Sequence, residues 1–268
     1  MKRFLFALLF LLSPPAGANE LVELATADQA RNFTAVGRLE LNGKGFCTAS
    51  LVSFDLVLTA AHCLYNTDTL ERLPTDELTF LAGLRNGRSE AIRQVRRVAI
   101  DPDYDPGSPT DPERIGNDLA LIELSQPIRN SRIVPFLIED GSRTYDQVSM
   151  VSYALHREKA PSLERSCDVL DRYKNIHVLS CDIDFGASGA PVVVFENGRP
   201  RIVAVVSAMA RDREGGKIAL AADAARIIPQ LRRNLREGVV TERAEQPLIR
   251  SADPKTRMQG AGAKFVRP

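Results

Sequence analysis

Short apolar stretches recur along the chain, and turn-forming residues such as Gly, Pro, Asn and Asp separate them. They are about four to eight residues long and rich in Val, Ile and Leu, which is typical of β-strands. The clearest are Cys47–Val52, Leu56–Ala60, Leu78–Ala82, Leu119–Leu124, Val148–Tyr153, Pro191–Phe195 and Ile202–Ala208. This series of short strands predicts an all-β fold, built as a barrel or a sandwich.

One segment near the end has a helical pattern instead. Pro229 suits the first helical position, where its missing N–H leaves no hydrogen bond unmade. Leu231 and Leu235 are four residues apart, so they share one face of a helix. Gly238 can adopt the left-handed conformation that often ends helices. We therefore predict a helix from Pro229 to about Gly238.

Residues 1–18 have the pattern of a secretory signal peptide. Lys2 and Arg3 precede the apolar run Phe4–Leu12, and Ala16–Ala18 supplies small residues for cleavage. The alternative is an uncleaved anchor, but nine apolar residues are too few to span a bilayer as a helix. We expect an exported protein, secreted or periplasmic, that begins near Asn19 and has no integral membrane segment after signal removal.

The remaining chain divides into three parts by its pattern. Residues 19–32 form a short N-terminal segment, and residues 33–238 carry the apolar pattern of a folded domain. Residues 239–268 are polar, are interrupted by Pro247 and Pro254, and hold six basic against three acidic residues. This composition predicts a disordered basic tail, either simply solvated or in weak contact with an anionic surface.

Net charge adds one exclusion. The 268 residues carry a formal charge of +1, so no overall field attracts the chain to nucleic acid or to a membrane. A hydrophobic content of 44% is enough for a packed core. We expect a folded protein with no nucleic-acid partner.

The four cysteines form two near pairs, and export permits disulfides. We expect Cys47–Cys63 and Cys167–Cys181, each stabilising the fold by about 3 kcal/mol. A zinc site is the alternative, but the sequence has no C-x-x-C spacing and its histidines are scattered. We expect no metal.

Ser188 stands in a glycine-rich hexapeptide, Gly186–Pro191. A serine hydroxyl is a weak nucleophile at neutral pH, so it needs a neighbouring base. It also needs donors for the oxyanion that forms on attack, and the N–H groups of Gly186 and Ser188 are candidates. The alternative is a plain glycine-rich turn.

His62 and Asp118 are candidates for the base and for the carboxylate that orients it. His62 follows a strand-like stretch and precedes Cys63, whose disulfide would fix the local backbone. Asp118 precedes an apolar strand, where a buried carboxylate is costly unless paired. Taken alone, His62 is also consistent with a structural histidine, and Asp118 with a turn aspartate. The rival aspartates are Asp101, Asp103 and Asp105, which lie in a proline-rich loop that continues to Gly116.

The order of these residues excludes several hydrolase classes. No histidine follows Ser188, which excludes the Ser–Asp–His order of the α/β-hydrolases. Ala190 breaks their G-x-S-x-G motif. A cysteine nucleophile is disfavoured once all four cysteines are paired. The order His62, Asp118, Ser188 remains.

Four motifs resemble those of the chymotrypsin/trypsin-like serine protease family. They are Cys47–Val52, Leu58–Cys63, Asn117–Leu121 and Gly186–Pro191, and the resemblance extends over about residues 34–235. It implies two packed antiparallel six-stranded β-barrels, roughly residues 33–135 and 136–222, followed by a C-terminal helix.

The resemblance also implies roles for individual residues. His62, Asp118 and Ser188 would form the catalytic triad, with Gly186 and Ser188 as oxyanion donors. Ser207 would donate a hydrogen bond to Asp118. The implied protein is a secreted, monomeric serine endopeptidase that acts on protein or peptide substrates without a cofactor. The alternatives are an esterase, or an inactive homologue that acts as an exported binding module.

Three departures from the family's trypsin branch bear on activation. Ala187 stands where that branch has an aspartate that pairs with a newly freed N-terminus. No Ile-Val-Gly-Gly-like start lies upstream of Cys47, and the interval from Asp118 to Ser188 is short. These features are similar to the bacterial trypsin-like and V8-like relatives. We expect an oxyanion hole that needs no N-terminal salt bridge.

Substrate preference is less defined by the sequence. Asp182 lies six residues before Ser188, where the trypsin branch has an aspartate that binds basic side chains. Met209 lies where a pocket wall is expected. One interpretation is a preference for Arg or Lys, and the other is that Asp182 is a solvated turn residue.

Overall fold

The structure, a computed structural model, describes residues 21–238. The predicted signal peptide (residues 1–18) and basic tail (residues 239–268) lie outside the described residues. Numbered in chain order, the strands are β1 (Leu21–Glu23), β2 (Val36–Leu41), β3 (Phe46–Leu51), β4 (Leu56–Thr59), β5 (Leu78–Ala82), β6 (Ala91–Ile100), β7 (Ala120–Leu124), β8 (Leu137–Ile138), β9 (Gln147–Ala154), β10 (Arg157–Tyr173), β11 (Ile176–Leu179), β12 (Pro191–Glu196), β13 (Arg199–Arg211) and β14 (Lys217–Asp223). The helices are α1 (Pro112–Gly116), α2 (Ile228–Glu237) and two 3₁₀ turns, Ala61–Leu64 and Thr75–Glu77.

The first half of the chain closes into an antiparallel barrel. Its strands follow the order β2-β3-β4-β7-β6-β5, and β2 pairs with both β3 and β5. Residues that alternate along these strands point into a shared apolar core, to which Leu39, Leu58 and Phe80 contribute. Strands β3, β4, β5 and β7 begin and end within one residue of the predicted apolar stretches, whereas β2 and β6 were not among those stretches.

The second half forms an antiparallel sheet with the order β10-β11-β14-β13-β12-β9. Strand β9 also pairs with β10, so the hydrogen-bonded circuit of six strands returns on itself. Strand β1 extends the sheet beside β10, and β8 lies parallel to β13. The architecture confirms the predicted fold class.

Helix α2 confirms the helical prediction and begins one residue before Pro229. Ile228, Leu231 and Leu235 are buried, and they pack in the same core as the first barrel. Gly238 ends the helix with φ +69°, a conformation that glycine adopts without steric cost.

Two elements differ from the pattern-based prediction. Strand β10 runs for 17 residues, yet its sequence holds charged residues at frequent intervals and no apolar run. The predicted loop from Asp105 to Gly116 ends in helix α1. Asp111 caps that helix by accepting a hydrogen bond from the Arg114 N–H at 2.9 Å, and Pro112 occupies its first turn.

Within residues 21–238, the helices are too short or too polar to cross a bilayer.

Candidate active site

His62 lies in the 3₁₀ turn that follows β4, and Asp118 holds it by two contacts. The His62 backbone N–H donates to Asp118 Oδ1 at 2.8 Å, and the ring Nδ1 lies 2.6 Å from Asp118 Oδ2. The Cys47–Cys63 disulfide, with an S–S distance of 2.01 Å, ties the same turn to β3. With Nδ1 engaged, Nε2 is the ring nitrogen left for proton transfer.

Asp118 lies between α1 and β7, and its side chain is only 4% exposed. Besides the two His62 groups, it accepts a hydrogen bond from Ser207 Oγ at 2.5 Å. The structure thus brings Ser207 against Asp118, as the resemblance implies. Three donors compensate for the burial of this negative charge.

The rival aspartates have other surroundings. Asp101 Oδ2 lies 2.6 Å from Arg226 Nη2, which also donates to Asn117 Oδ1 at 3.0 Å. Burial raises the pKa of Asp101, although the Asp103 N–H and Arg226 oppose that shift. The contact of Arg226 with Asn117 fixes the residue before Asp118. The sequence did not suggest this role for Arg226.

Ser188 lies in the loop between β11 and β12, and two glycines determine the shape of that loop. Gly186 has φ +93° and Gly189 has φ +79°. A Cβ at Gly186 would overlap the Phe46 ring, and one at Gly189 would overlap the Thr48 carbonyl oxygen and the Thr59 hydroxyl. The loop therefore requires glycine at both positions.

Thr48 ties this loop to the first barrel. Its N–H donates to the Ser188 carbonyl at 2.9 Å, and its hydroxyl donates to the Gly186 carbonyl at 2.9 Å. These contacts bring Ser188 to the barrel that carries His62. No hydrogen bond joins the Ser188 hydroxyl to His62 within residues 21–238, and such contacts are often long before substrate binds.

The proposed oxyanion donors differ from their neighbours in the loop. The Ala187 N–H donates to the Asp184 carbonyl at 3.0 Å, and the Gly189 N–H donates to the Val206 carbonyl at 2.8 Å. The N–H groups of Gly186 and Ser188 have no acceptor in the described part of the chain. Both N–H groups are therefore outside the hydrogen bonds that hold the loop itself.

The Ala187 side chain is 1% exposed and belongs to an apolar cluster with Ile183, Ala190 and Val192. Its methyl group cannot form an ion pair with a free N-terminus. On the outside of the barrel, Leu21–Glu23 is hydrogen-bonded to β10 as strand β1.

Asp182 and Met209 both reach the surface. The Asp182 side chain is 62% exposed, and its Oδ1 lies 3.6 Å from Lys217 Nζ. Met209 is 45% exposed and lies opposite Ala219 in the sheet. The Asp182 charge is thus shared with a lysine, and its substrate-binding role stays a prediction.

Glu164 is a buried carboxylate that the sequence analysis missed. It is 3% exposed, and its Oε2 accepts a hydrogen bond from the Asp182 N–H at 2.8 Å, at the base of the serine loop. Burial raises the pKa of Glu164, opposed by that hydrogen bond. No sequence signal marked Glu164, because residues 160–164 of β10 are all buried and follow no alternating pattern.

Two groups of potential metal ligands occur within residues 21–238: Cys47, His62 and Cys63, and then Glu164, Cys167 and Cys181. In each group both sulfurs belong to a disulfide. Neither group therefore offers a thiolate.

Comparisons with known proteins agree with this geometry. The family described as Trypsin matches residues 25–230. Mannan-binding lectin serine protease 1 of Homo sapiens is 30% identical over 125 residues, covering 42% of this chain and 17% of that protein. Mast cell protease 3 of Ovis aries is 33% identical over 128 residues, covering 46% of this chain and 45% of that protein.

Coagulation factor IX of Oryctolagus cuniculus is 33% identical over 108 residues, covering 39% of this chain and 36% of that protein. The match thus spans less than half the length of each of these relatives. Because the family match covers most of the domain, the chain belongs to the trypsin family and carries a trypsin-like serine protease domain.

Proposed function

We propose that this protein is an exported serine endopeptidase that hydrolyses peptide bonds through an acyl-enzyme on Ser188. The observation that carries the proposal is the 2.6 Å contact between His62 Nδ1 and Asp118 Oδ2. The Asp118 carboxylate accepts two further hydrogen bonds, from the His62 backbone N–H and from Ser207 Oγ. That arrangement holds a histidine in the tautomer a general base requires.

The first half of the reaction forms the acyl-enzyme. His62 Nε2 takes the proton of the Ser188 hydroxyl as Ser188 Oγ attacks the peptide carbonyl. The N–H groups of Gly186 and Ser188 stabilise the negative charge on the carbonyl oxygen. His62 then gives the proton to the departing amine, and the C–N bond breaks.

Water completes the reaction. His62 takes a proton from the attacking water, a second oxyanion forms, and the Ser188–acyl bond breaks as His62 returns the proton to Ser188. Asp118 remains ionised and stabilises the imidazolium at each step. No step requires a cofactor.

Hydrolysis of quenched fluorescent peptides tests the endopeptidase proposal against the esterase and the inactive binding module. The full chain should cleave internal peptide bonds, Ser188→Ala should not, and the exposed-site control Ser131→Ala should match the parent. Cleavage of esters alone would indicate an esterase. If correctly folded protein cleaved neither class, the binding module would replace this proposal.

We further propose that the chain belongs to the bacterial trypsin-like or V8-like branch and needs no N-terminal salt bridge. Burial of the Ala187 methyl group among apolar side chains and the unengaged N–H groups of Gly186 and Ser188 support this. A tag placed directly before Asn19 should leave activity unchanged. An obligatory removal of the tag, or of residues 19–32, would contradict it.

A cleavage profile over a peptide library tests the role of Asp182. Because Lys217 shares its charge, we expect weak selection of Arg or Lys next to the cleaved bond. A strong basic preference that disappears in Asp182→Ala would assign that selection to Asp182 after all.

A further inference from the structure

A basic pocket of about 610 Å³ lies away from the residues of the proposed triad. The residues that define this pocket are Arg85, Asn86, Arg88, Ser89, Glu90 and Arg132, with Ala25 at its edge. Its volume falls in the range of small-ligand pockets, roughly 300–1,000 Å³. Six of its seven lining residues are polar or charged, and three of them are arginines, which favours an anionic ligand.

The turn between β5 and β6 places two arginines side by side. Asn86 (φ 47°) and Gly87 (φ 76°) form a tight two-residue turn of the kind favoured in hairpins. Arg85 and Arg88 exchange both backbone hydrogen bonds at 2.8 Å, so they lie directly opposite each other. Like charges in directly opposed positions destabilise a hairpin.

The basic pocket does not neutralise these charges. Glu90 is its one acidic lining residue; Oε1 lies 3.0 Å from Arg85 Nη2, and Oε2 lies 3.0 Å from Arg132 Nη2. Both carboxylate oxygens are thus occupied. The Arg88 guanidinium has no side-chain or backbone partner within residues 21–238. Three arginines against one glutamate leave an excess of two positive charges.

The walls are held in place by neighbouring segments. The Asn86 N–H donates to the Lys159 carbonyl at 2.6 Å, and the Asn86 amide donates to the Ala25 carbonyl at 3.4 Å. Arg85 and Glu90 are only 13% and 12% exposed, whereas Arg132 is 73% exposed. The Arg85–Glu90 ion pair is therefore largely covered, whereas Arg88 and Arg132 are exposed.

The basic pocket is connected to the serine loop through the turn between β9 and β10. The Lys159 carbonyl accepts the Asn86 hydrogen bond on one side of this turn. On the other side, the Leu155 N–H donates to the carbonyl of Phe185, which precedes Gly186, at 2.7 Å. The pocket and the serine loop are thus both hydrogen-bonded to the β9–β10 connection.

We propose that the basic pocket binds an acidic segment of a polypeptide through at least two carboxylates. Guanidinium groups match carboxylates in a bidentate geometry, and two carboxylates would balance the excess charge. Asn86 and Ser89 add hydrogen-bonding groups suited to a peptide backbone. The volume exceeds what a single small oxyanion fills. This binding is independent of the proposed hydrolysis.

Fluorescence anisotropy with the full chain carrying Ser188→Ala tests the proposal without cleavage. The probe is a labelled peptide of alternating Glu and Gly, and its control has Gln in place of Glu. The Glu peptide should bind, more weakly as salt rises. The double variant Arg88→Ser/Arg132→Ser should weaken it about tenfold or more, because charge-assisted hydrogen bonds are lost.

Matched control variants distinguish the loss of the pocket's arginines from the loss of positive charge anywhere on the protein. Arg233→Ser/Arg236→Ser removes the same charge from α2 and should leave the affinity unchanged. Arg88→Gln alone, at an exposed position, should also weaken binding and guards against misfolding of the double variant. Equal binding of the Gln peptide, or unchanged affinity in both pocket variants, would overturn the proposal. Displacement by inorganic phosphate as effective as by the unlabelled Glu peptide would assign a small-anion site instead.

Discussion

The two halves of the candidate site are held by different means. Around His62 and Asp118, side chains hold the site: Asp118 contacts His62 twice and contacts Ser207 of β13 once, and the Cys47–Cys63 disulfide anchors the turn. In the second barrel, the backbone holds it through two left-handed glycines and contacts to Thr48. The first half should therefore be sensitive to side-chain chemistry, and the second to an added Cβ.

The largest expected decrease in kcat comes from a variant around His62 and Asp118, where side chains hold the site. Asp118→Asn keeps the size of the side chain but favours the wrong His62 tautomer, so kcat should fall about 10⁴-fold, as in related triads. The exposed Asp103→Asn is the matched control and should behave like the parent. Steady-state kinetics on a peptide substrate measure both, and a loss below about tenfold would remove Asp118 from the mechanism.

A smaller decrease in kcat is expected for a variant of the serine loop, which the backbone holds in place. Gly189→Ala would drive a methyl group into Thr48 and Thr59, which should move Ser188 and lower kcat about 100-fold. Gly198→Ala is the matched control, because its φ of +75° is similar and no atom lies within 4 Å of its Cβ. Equal kinetics for the two variants would show that the crowding at Gly189 is unimportant.

Ser207→Ala tests a side chain of the second barrel that supports Asp118 of the first. It removes one of the three donors to Asp118 and leaves both His62 contacts, so kcat should fall about tenfold. Kinetics with Ser207→Thr, which restores a hydroxyl, should recover part of the loss. A loss as large as that of Asp118→Asn would mean that Ser207 has a role beyond this hydrogen bond.

The smallest effect concerns stability. Asp118 has three donors, whereas Glu164 accepts one hydrogen bond within residues 21–238 and burial raises its pKa. A raised carboxyl pKa gives stability that is complete below the unfolded-state value and is lost as pH rises through the folded-state value. The Tm of Glu164→Gln relative to the parent should therefore increase as pH rises above about 4.3, the ordinary pKa of a glutamate side chain.

Thermal unfolding at several pH values measures this difference. The exposed Glu214→Gln should show a constant difference from the parent across the same range. A Glu164→Gln difference that falls as pH rises would show that the ionised form of Glu164 stabilises the fold.

The sequence predicted the parts whose signals are local. Helix α2 had a proline start, two leucines and a terminal glycine, and short apolar runs marked strands such as β3, β5 and β12. Strand β10 was missed because its long run is stabilised by pairing with β9 and β11, not by an apolar pattern. The contact between Asp101 and Arg226 was missed because 125 residues separate the two.

Labelling with a fluorophosphonate tests the central claim most directly, because the probe reacts only with an activated serine. The full chain should be labelled at Ser188, and labelling should disappear in Ser188→Ala and in His62→Ala. The Ser131→Ala control should be labelled like the parent. Absence of labelling in correctly folded protein would contradict the claim that the two barrels assemble an active nucleophile.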